Sequence, residues 1–252
     1  MSLRSSLAAL SMIAASAVLV SAASQKTASA PNTLTDQEKK AGWILLFDGK
    51  SLDGWRAYKK PDATGTRWRV EDGWLTLPHE GDKDTHGARD IISKDTFDQF
   101  ELTWDWRIAA GGNSGVKYFV LEDRNDAIGH EYQIIDDERH PDAKIGPHRQ
   151  TAAFYDVLQA SNRPIKPAGE LNSSRIVVKG NTVEHFLNGK QVLTYTLDSP
   201  ELRAAIAKSK FKDVERFGKP QKGHILLQDH GDQVWYRNIK IHPLSATSTA
   251  RR

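Results

Sequence analysis

The sequence of 252 residues predicts an all-β sandwich of two antiparallel sheets with one short helix near residues 200–217. Three observations support this prediction. About a dozen short strand-like segments run along the chain, glycine-containing turns separate them, and residues 99–108 alternate polar and apolar without a break. The sequence shows no repeat, no second domain and no glycine-rich phosphate loop opening a helix.

The first half of the chain is predicted to form strands at residues 43–47, 66–70, 74–77, 90–93, 99–108 and 116–121. Residues 66–77 read as a hairpin, because a turn with Gly73 separates two strand-like runs. The even-numbered residues of 99–108 are apolar, so one face of this strand should pack into the core. Segments 51–55, 79–89 and 109–115 are predicted turns or loops, and the glycines of the last allow close backbone approach.

The second half begins with residues 129–137, around which we expect a site to be built. Residues 151–156 form a short predicted strand that brings Tyr155 towards that site. Strands at 172–179, 182–187 and 190–195 make a meander, since Asn188-Gly189 is a strong hairpin signal. A helix at 200–217 begins after Ser199 and ends before Gly218. Residues 223–231 and 234–241 are the closing strands.

The N-terminus has the pattern of a secretory signal peptide at residues 1–30, with Arg4, an apolar run at 7–20 and small residues at the cleavage sites. An uncleaved membrane anchor is the alternative. A polar lead-in at 31–41, one domain at 42–243 and a polar tail at 244–252 follow. We therefore expect a periplasmic or secreted protein with no membrane span after cleavage. The chain has no cysteine, which excludes a lipid-modified cysteine, disulfides and thiolate zinc sites.

The charge pattern argues against nucleic acid as a partner. The formal net charge is +3, both signs are interspersed, and there is no long basic run. Seven tryptophans and six tyrosines favour carbohydrate, because aromatic faces stack on sugar C–H groups, although aromatics also fill cores. The expected partner is an oligosaccharide or glycoside, and no protein partner is predicted.

Three polar residues stand out in the central stretch. Glu131 and Gln133 should point to one face of a strand, with Tyr132 and Ile134 on the other. Asp136 is out of phase by one residue, and a β-bulge at Ile135 or Asp136 would bring it onto the same face. The result is a catalytic or sugar-binding wall, or else the polar outer face of a half-exposed sheet.

A set of ordered motifs resembles the 3-keto-disaccharide hydrolase family, formerly a domain of unknown function. The motifs are LFDGKSLDGW at 46–55, GNSG at 112–115, EYQIID at 131–136, HFLNG at 185–189, LQDHG at 227–231 and RNI at 237–239. The resemblance covers residues 42–243. It implies a concanavalin-like jelly-roll fold and an exported enzyme that cleaves glycosides already oxidised to a ketone at C3.

The chemistry of such a substrate suggests roles for the residues. A C3 ketone acidifies the C2 proton, so a carboxylate can remove it and the anomeric substituent leaves by elimination, or by net hydrolysis if water adds back. We expect Glu131 or Asp136 to be the base. The other candidate catalytic residues are His230, His185 and Arg237, and the candidate substrate-binding residues are Asn113, Gln133, Tyr155 and Gln228.

Two further interpretations of EYQIID are open. It resembles the Glu-x-Asp-x-x-Glu strand of jelly-roll β-glucanases, but Gln133 replaces the middle carboxylate and Asp136 is shorter than the usual acid. A non-catalytic carbohydrate-binding module and a purely structural envelope protein are the other rivals. His130, Glu131, His140 and His148 have the chemistry of divalent-metal ligands, but their spacing matches no motif. No cofactor or metal is therefore predicted.

Overall fold

The computed structural model describes residues 30–78 and 90–244 and shows two antiparallel sheets packed face to face. The helices are α1 (Asp36–Ala41) and α2 (Pro200–Ile206), and the strands are β1 (Ile44–Leu45), β2 (Trp55–Ala57), β3 (Arg69–Glu71), β4 (Trp74–Leu77), β5 (Ile91–Phe97), β6 (Phe100–Ile108), β7 (Asn113–Val120), β8 (His130–Ile135), β9 (Asn172–Lys179), β10 (Thr182–Leu187), β11 (Lys190–Thr196), β12 (Gly223–Leu227) and β13 (Val234–Pro243). Two 3₁₀ turns, Asp142–Lys144 and Pro147–Arg149, lie between β8 and β9.

The eight-stranded sheet has the order β11-β10-β9-β6-β13-β4-β3, with β1 also paired to β13. The five-stranded sheet has the order β2-β5-β12-β7-β8. The arrangement is a jelly-roll sandwich, so the predicted fold class is confirmed. Strand β6 shows why the pattern was informative: its even-numbered residues are all buried and its odd-numbered residues are all partly exposed.

The two hairpin signals are also confirmed. Asp72 and Gly73 both have positive φ in the turn between β3 and β4, and so do Asn188 and Gly189 between β10 and β11. Turns with two successive left-handed residues match the twist of the flanking strands, and asparagine, aspartate and glycine are the residues that adopt them most readily.

The predicted helix at 200–217 is wrong in length, because α2 ends at Ile206. The Ser199 hydroxyl accepts the backbone N–H of Leu202, as expected of a cap. Ser209 then interrupts the helix, because its hydroxyl donates to the Ile206 carbonyl and accepts the Phe211 backbone N–H. The Asp156 carboxylate accepts the backbone N–H of Lys210, the residue after Ser209, at 2.8 Å. Local side-chain hydrogen bonds have replaced the helical ones.

Strand β8 is the edge of the smaller sheet, and residues 151–155 cover that edge. The backbone N–H of Tyr155 donates to the Glu131 carbonyl at 3.0 Å, and that of Ala152 donates to the Gln133 carbonyl at 2.9 Å. The predicted strand at 151–156 is not regular, since Ala152 and Asp156 have positive φ. It nevertheless pairs with β8 and carries Tyr155 to the site.

Several sequence-based expectations fall outside the described residues. They are the signal peptide except its last residue, the loop at 79–89 and the tail from residue 245. The lead-in does contain a helix, α1, with a capping box between Thr35 and Glu38. Among the residues that the structure describes, no helix is long and apolar enough to cross a membrane.

Candidate active site

A cavity of about 580 Å³ lies on the face of the five-stranded sheet that points away from the core. Glu131 and Gln133 of β8 line it, while Tyr132 and Ile134 point to the opposite side and are fully buried in the core. The alternation predicted for this strand is therefore confirmed. Across the β7–β8 ladder, Lys117 lies opposite Glu131 and Gly115 lies opposite Gln133.

Gly115 makes room for the Glu131 side chain. A Cβ atom at this glycine would lie 2.4 Å from the Glu131 Oε1 atom and 3.0 Å from its Cγ and Cδ atoms. These distances are below van der Waals contact, so the carboxylate fits over the sheet only because position 115 has no side chain. The glycine has an ordinary backbone conformation, and its importance lies in the close approach.

Loop segments complete the cavity, and four of them supply residues that matter for its chemistry. His140 and Asp142 come from the loop after β8, Tyr155 from the edge-covering segment, Lys210 and Phe211 from the turn after α2, and Gln228 and His230 from the loop after β12. Lys210 reaches the cavity because α2 ends early and Asp156 anchors the Lys210 backbone amide.

The electrostatic environment of Glu131 comes from burial, from two lysines and from nearby carboxylates. The residue is 5% exposed, and this burial raises the pKa of the carboxyl, as the carboxylates also do, while the charges of Lys117 and Lys210 act in the opposite direction. Lys210 is exposed when the whole residue is considered. Its ammonium group, however, lies 4.3 Å from the centre of the Tyr155 ring, and the burial of this group lowers its pKa. A carboxylate with a raised pKa beside cations suits proton abstraction.

Tyr155 is held as a neutral phenol in this cavity. Burial raises the pKa of its hydroxyl, and the nearby carboxylates of Asp142 and Glu131 raise it further. The phenol therefore remains a hydrogen-bond donor at any pH at which the protein would work.

Two amide oxygens in the cavity have no protein partner within the described part of the chain. They are Oδ1 of Asn113 and Oε1 of Gln228, both buried atoms. Gln133 differs, since its side-chain oxygen accepts the backbone N–H of Ile134 at 3.1 Å. Buried amide oxygens are normally satisfied, so those of Asn113 and Gln228 are suited to accept hydrogen bonds from sugar hydroxyls.

Six of the nine residues predicted for the site line the cavity together. They are Asn113, Glu131, Gln133, Tyr155, Gln228 and His230. Asp136, His185 and Arg237 do not line it. The structure thus brings together all four predicted substrate-binding residues but only two of the five predicted catalytic ones.

Asp136 lies beyond the end of β8, and the expected bulge is absent. The β7–β8 register is unbroken from Asn113–Ile135 to Tyr118–His130. The Asp136 carboxylate accepts the backbone N–H groups of Gly111 and Glu138 at 2.8 and 3.0 Å. Although burial alone would raise its pKa, these hydrogen bonds outweigh it and lower the pKa. This carboxylate closes a loop and does not face the cavity.

His185 lies inside the sandwich, in a chain of hydrogen bonds among two histidines and two tyrosines. Gly218 N–H donates to Nε2 of His130 at 3.1 Å, and Nδ1 of His130 contacts the Tyr195 hydroxyl at 2.9 Å. The chain continues from Tyr195 to Tyr118 at 2.6 Å, to His185 Nε2 at 2.9 Å, and from His185 Nδ1 to the Ala152 carbonyl at 2.9 Å.

The two ends of this chain fix its direction. Gly218 N–H can only donate and the Ala152 carbonyl can only accept, so each group in between donates to the next one. Both histidines are therefore neutral, in agreement with burial lowering the pKa of His130 to about 3 and that of His185 to about 4. The groups of this network are engaged with one another, and the network joins the two sheets.

Arg237 lies on the outer face of the larger sheet. Its guanidinium is 4.4 Å from the centre of the Trp74 ring, and its Nε atom is 3.6 Å from the Asp105 carboxylate. The group of four predicted metal-ligand candidates is also dispersed, because His130 belongs to the buried network and His148 is 3.7 Å from Asp156.

The cationic and acidic partners of Glu131 were not predicted from the sequence. Lys117, Lys210, Asp90 and Asp142 all line the cavity. Lys117 could have been found from the pairing of 113–120 with 130–135, which places it opposite Glu131. Lys210 could not, because the sequence pattern assigned it to a helix that ends four residues earlier.

Comparisons with known proteins show the family of this chain. Residues 42–242 match the model of the 3-keto-alpha-glucoside-1,2-lyase-like domain. The chain is 37% identical over 230 residues to a 3-keto-disaccharide hydrolase of Bacteroides thetaiotaomicron, covering 81% of this chain and 79% of that protein. Two Parabacteroides distasonis structures described as glycosyl hydrolases have TM-scores of 0.76 and 0.61 at 31% and 30% identity, covering 86% and 80% of this chain and 100% and 99% of theirs. The chain belongs to the 3-keto-alpha-glucoside-1,2-lyase-like family and is a carbohydrate hydrolase acting on 3-keto sugars.

Proposed function

We propose that this protein cleaves the glycosidic bond of 3-keto-glycosides by elimination, with Glu131 as the base that removes the C2 proton. The observation that carries the proposal is the buried Glu131 carboxylate, seated over Gly115 and flanked by Lys117 and Lys210 in the sugar-sized cavity. A raised pKa brings this carboxylate closer to the range in which a general base is effective.

The reaction can be written from these groups. The C2–H bond breaks and its proton passes to Glu131, while the electron pair moves towards the C3 ketone oxygen and gives an enolate. The ammonium groups of Lys117 and Lys210 stabilise this negative charge. The enolate then expels the C1 substituent, leaving a C1–C2 double bond conjugated with the ketone, and the departing oxygen takes a proton. His230, Tyr155 and the two lysines line the cavity and are the candidates for this proton donor. Addition of water across the double bond gives net hydrolysis.

An ordinary glucanase mechanism is less well supported. It would pair the Glu131 carboxylate with a second carboxylate from the same strand motif, as nucleophile and acid. Asp136, the candidate for that second group, is engaged with Gly111 and Glu138 outside the cavity. The Glu131 environment instead favours a substrate whose own ketone makes proton abstraction possible.

The test is turnover of a 3-keto-glucoside beside its unoxidised parent. Wild type should cleave only the ketone, and Glu131→Gln should lower kcat by about 10²–10⁴-fold, the usual contribution of a positioned base. Asp136→Asn is the matched control, because it removes a carboxylate of the same motif that does not face the cavity, and it should retain most of the activity once folding is verified. Equal activity in Glu131→Gln and wild type would contradict the proposal.

A pH profile gives a second test of the base. Since burial raises the pKa of Glu131, kcat/KM should fall as the pH drops through a value above 4.5, the ordinary value of a glutamate. Glu131→Asp should keep an acidic limb, shifted in pH, while Glu131→Gln should lose it. An unchanged limb in Glu131→Gln would assign the ionisation to another group.

We also propose that the protein is exported, on the basis of the apolar run at 7–20 and the small residues that follow it. Fractionation of expressing cells should find a shortened chain outside the cytoplasm. A chain of full length in the cytoplasm would contradict this.

A further inference from the structure

A second group of chemically active side chains lies beside the cavity. One nitrogen each of His140 and His230 and one carboxylate oxygen of Asp232 all lie within 4.8 Å of one another. The two imidazole rings meet edge to face, with their centres 6.0 Å apart. All three residues are half-buried, and both histidines line the cavity. His140 is 90 residues away from His230 in the sequence, so its imidazole meets the side chains of His230 and Asp232 only in the fold.

The backbone around His230 and Asp232 is firmly held. The Asp232 Oδ2 atom accepts the backbone N–H of Asn113 at 2.9 Å, which ties the loop to the first residue of β7. The neighbouring Gly231 N–H donates to Asp229 Oδ1 at 3.0 Å, and the buried Asp229 pairs with Arg67 at 2.8 Å. A metal site requires first ligands whose positions are fixed by such surrounding hydrogen bonds.

We propose that His140, His230 and Asp232 form a binding site for a divalent first-row transition-metal ion beside the cavity. Two histidines and one carboxylate are a ligand set that such ions favour, and a site with three protein ligands leaves positions open for oxygen atoms of a ligand in the cavity. Nothing in the linear spacing of these residues indicates the site, because it joins the loops after β8 and β12.

Binding requires local changes in these side chains, two of which can be described. Ligand atoms about 2.1 Å from one ion lie at most about 4.2 Å apart, so the three side chains must close slightly from their present separation. A neutral imidazole has one lone pair, and that of His140 now accepts the Asp142 backbone N–H at 3.1 Å. The ion competes with this hydrogen bond whichever ring nitrogen it takes. Both changes lie within the half-buried loop side chains.

The location gives the ion a role in the proposed reaction. A cation at this point would be reached by oxygen atoms of a sugar seated against Glu131 and Gln228, and it would polarise a ketone or hold a hydroxyl. This role rests on the proposed function, whereas the binding site itself does not.

The test is titration of chelator-treated protein, without sugar, with Co²⁺ followed by calorimetry and by visible absorption. Wild type should bind one ion per chain, with ligand-field bands that show nitrogen coordination. Asp232→Asn, His140→Gln and His230→Gln should each weaken binding by at least about tenfold. His242→Gln is the matched control, because His242 stacks on Trp43 instead of lining the cavity, and its titration should match wild type.

Two results would overturn the site: no saturable binding by wild type, or binding that is equally strong in folded Asp232→Asn and His230→Gln. Circular dichroism and thermal unfolding of each variant establish that it is folded. Because these measurements need no substrate, the metal site and the cleavage of 3-keto-glycosides can fail separately. If wild type bound Co²⁺ but did not turn over a 3-keto-glucoside, the result would count against the proposed chemistry alone.

Discussion

Two clusters of buried polar residues flank strand β8, one on each side. On the outer side are Glu131, Gln133 and the groups that surround the cavity. On the inner side are His130 and the hydrogen-bonded tyrosines and histidine of the core network. Adjacent residues of one strand, Glu131 and His130, therefore belong to environments of opposite character.

The difference between the clusters lies in how completely their hydrogen bonds are made. In the core network every donor has an acceptor, from Gly218 N–H to the Ala152 carbonyl, and both histidines are neutral. In the cavity, the side-chain oxygens of Asn113 and Gln228 have no partner within the described residues. A perturbed pKa occurs in both places, so it does not by itself distinguish a site from a structural network.

The largest effect that we expect is acid destabilisation through the core network. His130 and His185 have pKa values of about 3 and 4 in the folded protein, below the 6.5 of a free histidine. The unfolded chain therefore binds more protons, and the stability contributed by the neutral rings, fully present above pH 6.5, is lost as the pH falls below it. Each histidine should cost about 1.4 kcal/mol per pH unit in this range.

Denaturant unfolding between pH 7 and pH 5 measures this slope. Glu131→Gln is the appropriate background, because the raised pKa of Glu131 acts in the opposite direction and its replacement removes that contribution. The ordinary carboxylates begin to titrate lower in pH, so they contribute little in this window. A free energy of unfolding that does not change between pH 7 and pH 5 would contradict neutral, buried histidines.

The next effect concerns the cavity alone. Gly115→Ala should displace the Glu131 carboxylate, because the new Cβ atom would lie 2.4 Å from its present oxygen position. A shift of about 1 Å in a reacting group commonly costs about 10²-fold in rate. We expect kcat to fall by that factor, with the secondary structure unchanged by circular dichroism. Wild-type kcat in this variant would show that the base is elsewhere.

A smaller effect tests the core network instead of the cavity. Tyr118→Phe removes the hydroxyl that donates to His185 and accepts from Tyr195, which leaves buried groups without partners. It should lower the free energy of unfolding by about 1–3 kcal/mol. The kcat of the folded fraction should remain unchanged, since Tyr118 does not line the cavity.

The control for this variant is Tyr58→Phe. The Tyr58 hydroxyl donates to the Leu121 carbonyl at 2.9 Å in a half-buried position, where water can take its place. It should cost less than about 1 kcal/mol. If Tyr118→Phe lowered kcat as strongly as Gly115→Ala does, the inner cluster would have to be part of the site.

The sequence predicted the fold well because short-range chemistry determines most of it. The alternation in β6, the Asn188-Gly189 turn and the Ser199 cap are each readable within a few residues. The prediction failed where a distant group decided the outcome. Nothing near Lys210 indicates that the Asp156 carboxylate will bind its amide and that the helix will already have ended.

The site was predictable to the extent that strand alternation determines which side chains share a face. Glu131 and Gln133 follow from it directly, whereas Asp136 required a bulge that the register does not contain. His185 lies on an alternating strand too, but its face is the interior of the sandwich. Only the position of β10 in the larger sheet shows that, and the sequence of a single strand does not reveal the order of strands in a sheet.

The segment that covers the edge of β8 has a consequence for how the protein behaves at high concentration. An exposed edge strand invites pairing with another molecule, which leads to self-association. Here the backbone groups of Glu131 and Gln133 are already bonded to Tyr155 and Ala152. Strand β8, which carries the proposed base, therefore cannot pair with a strand of another molecule. A protein in which residues 151–155 are shortened should aggregate at concentrations at which wild type stays monodisperse.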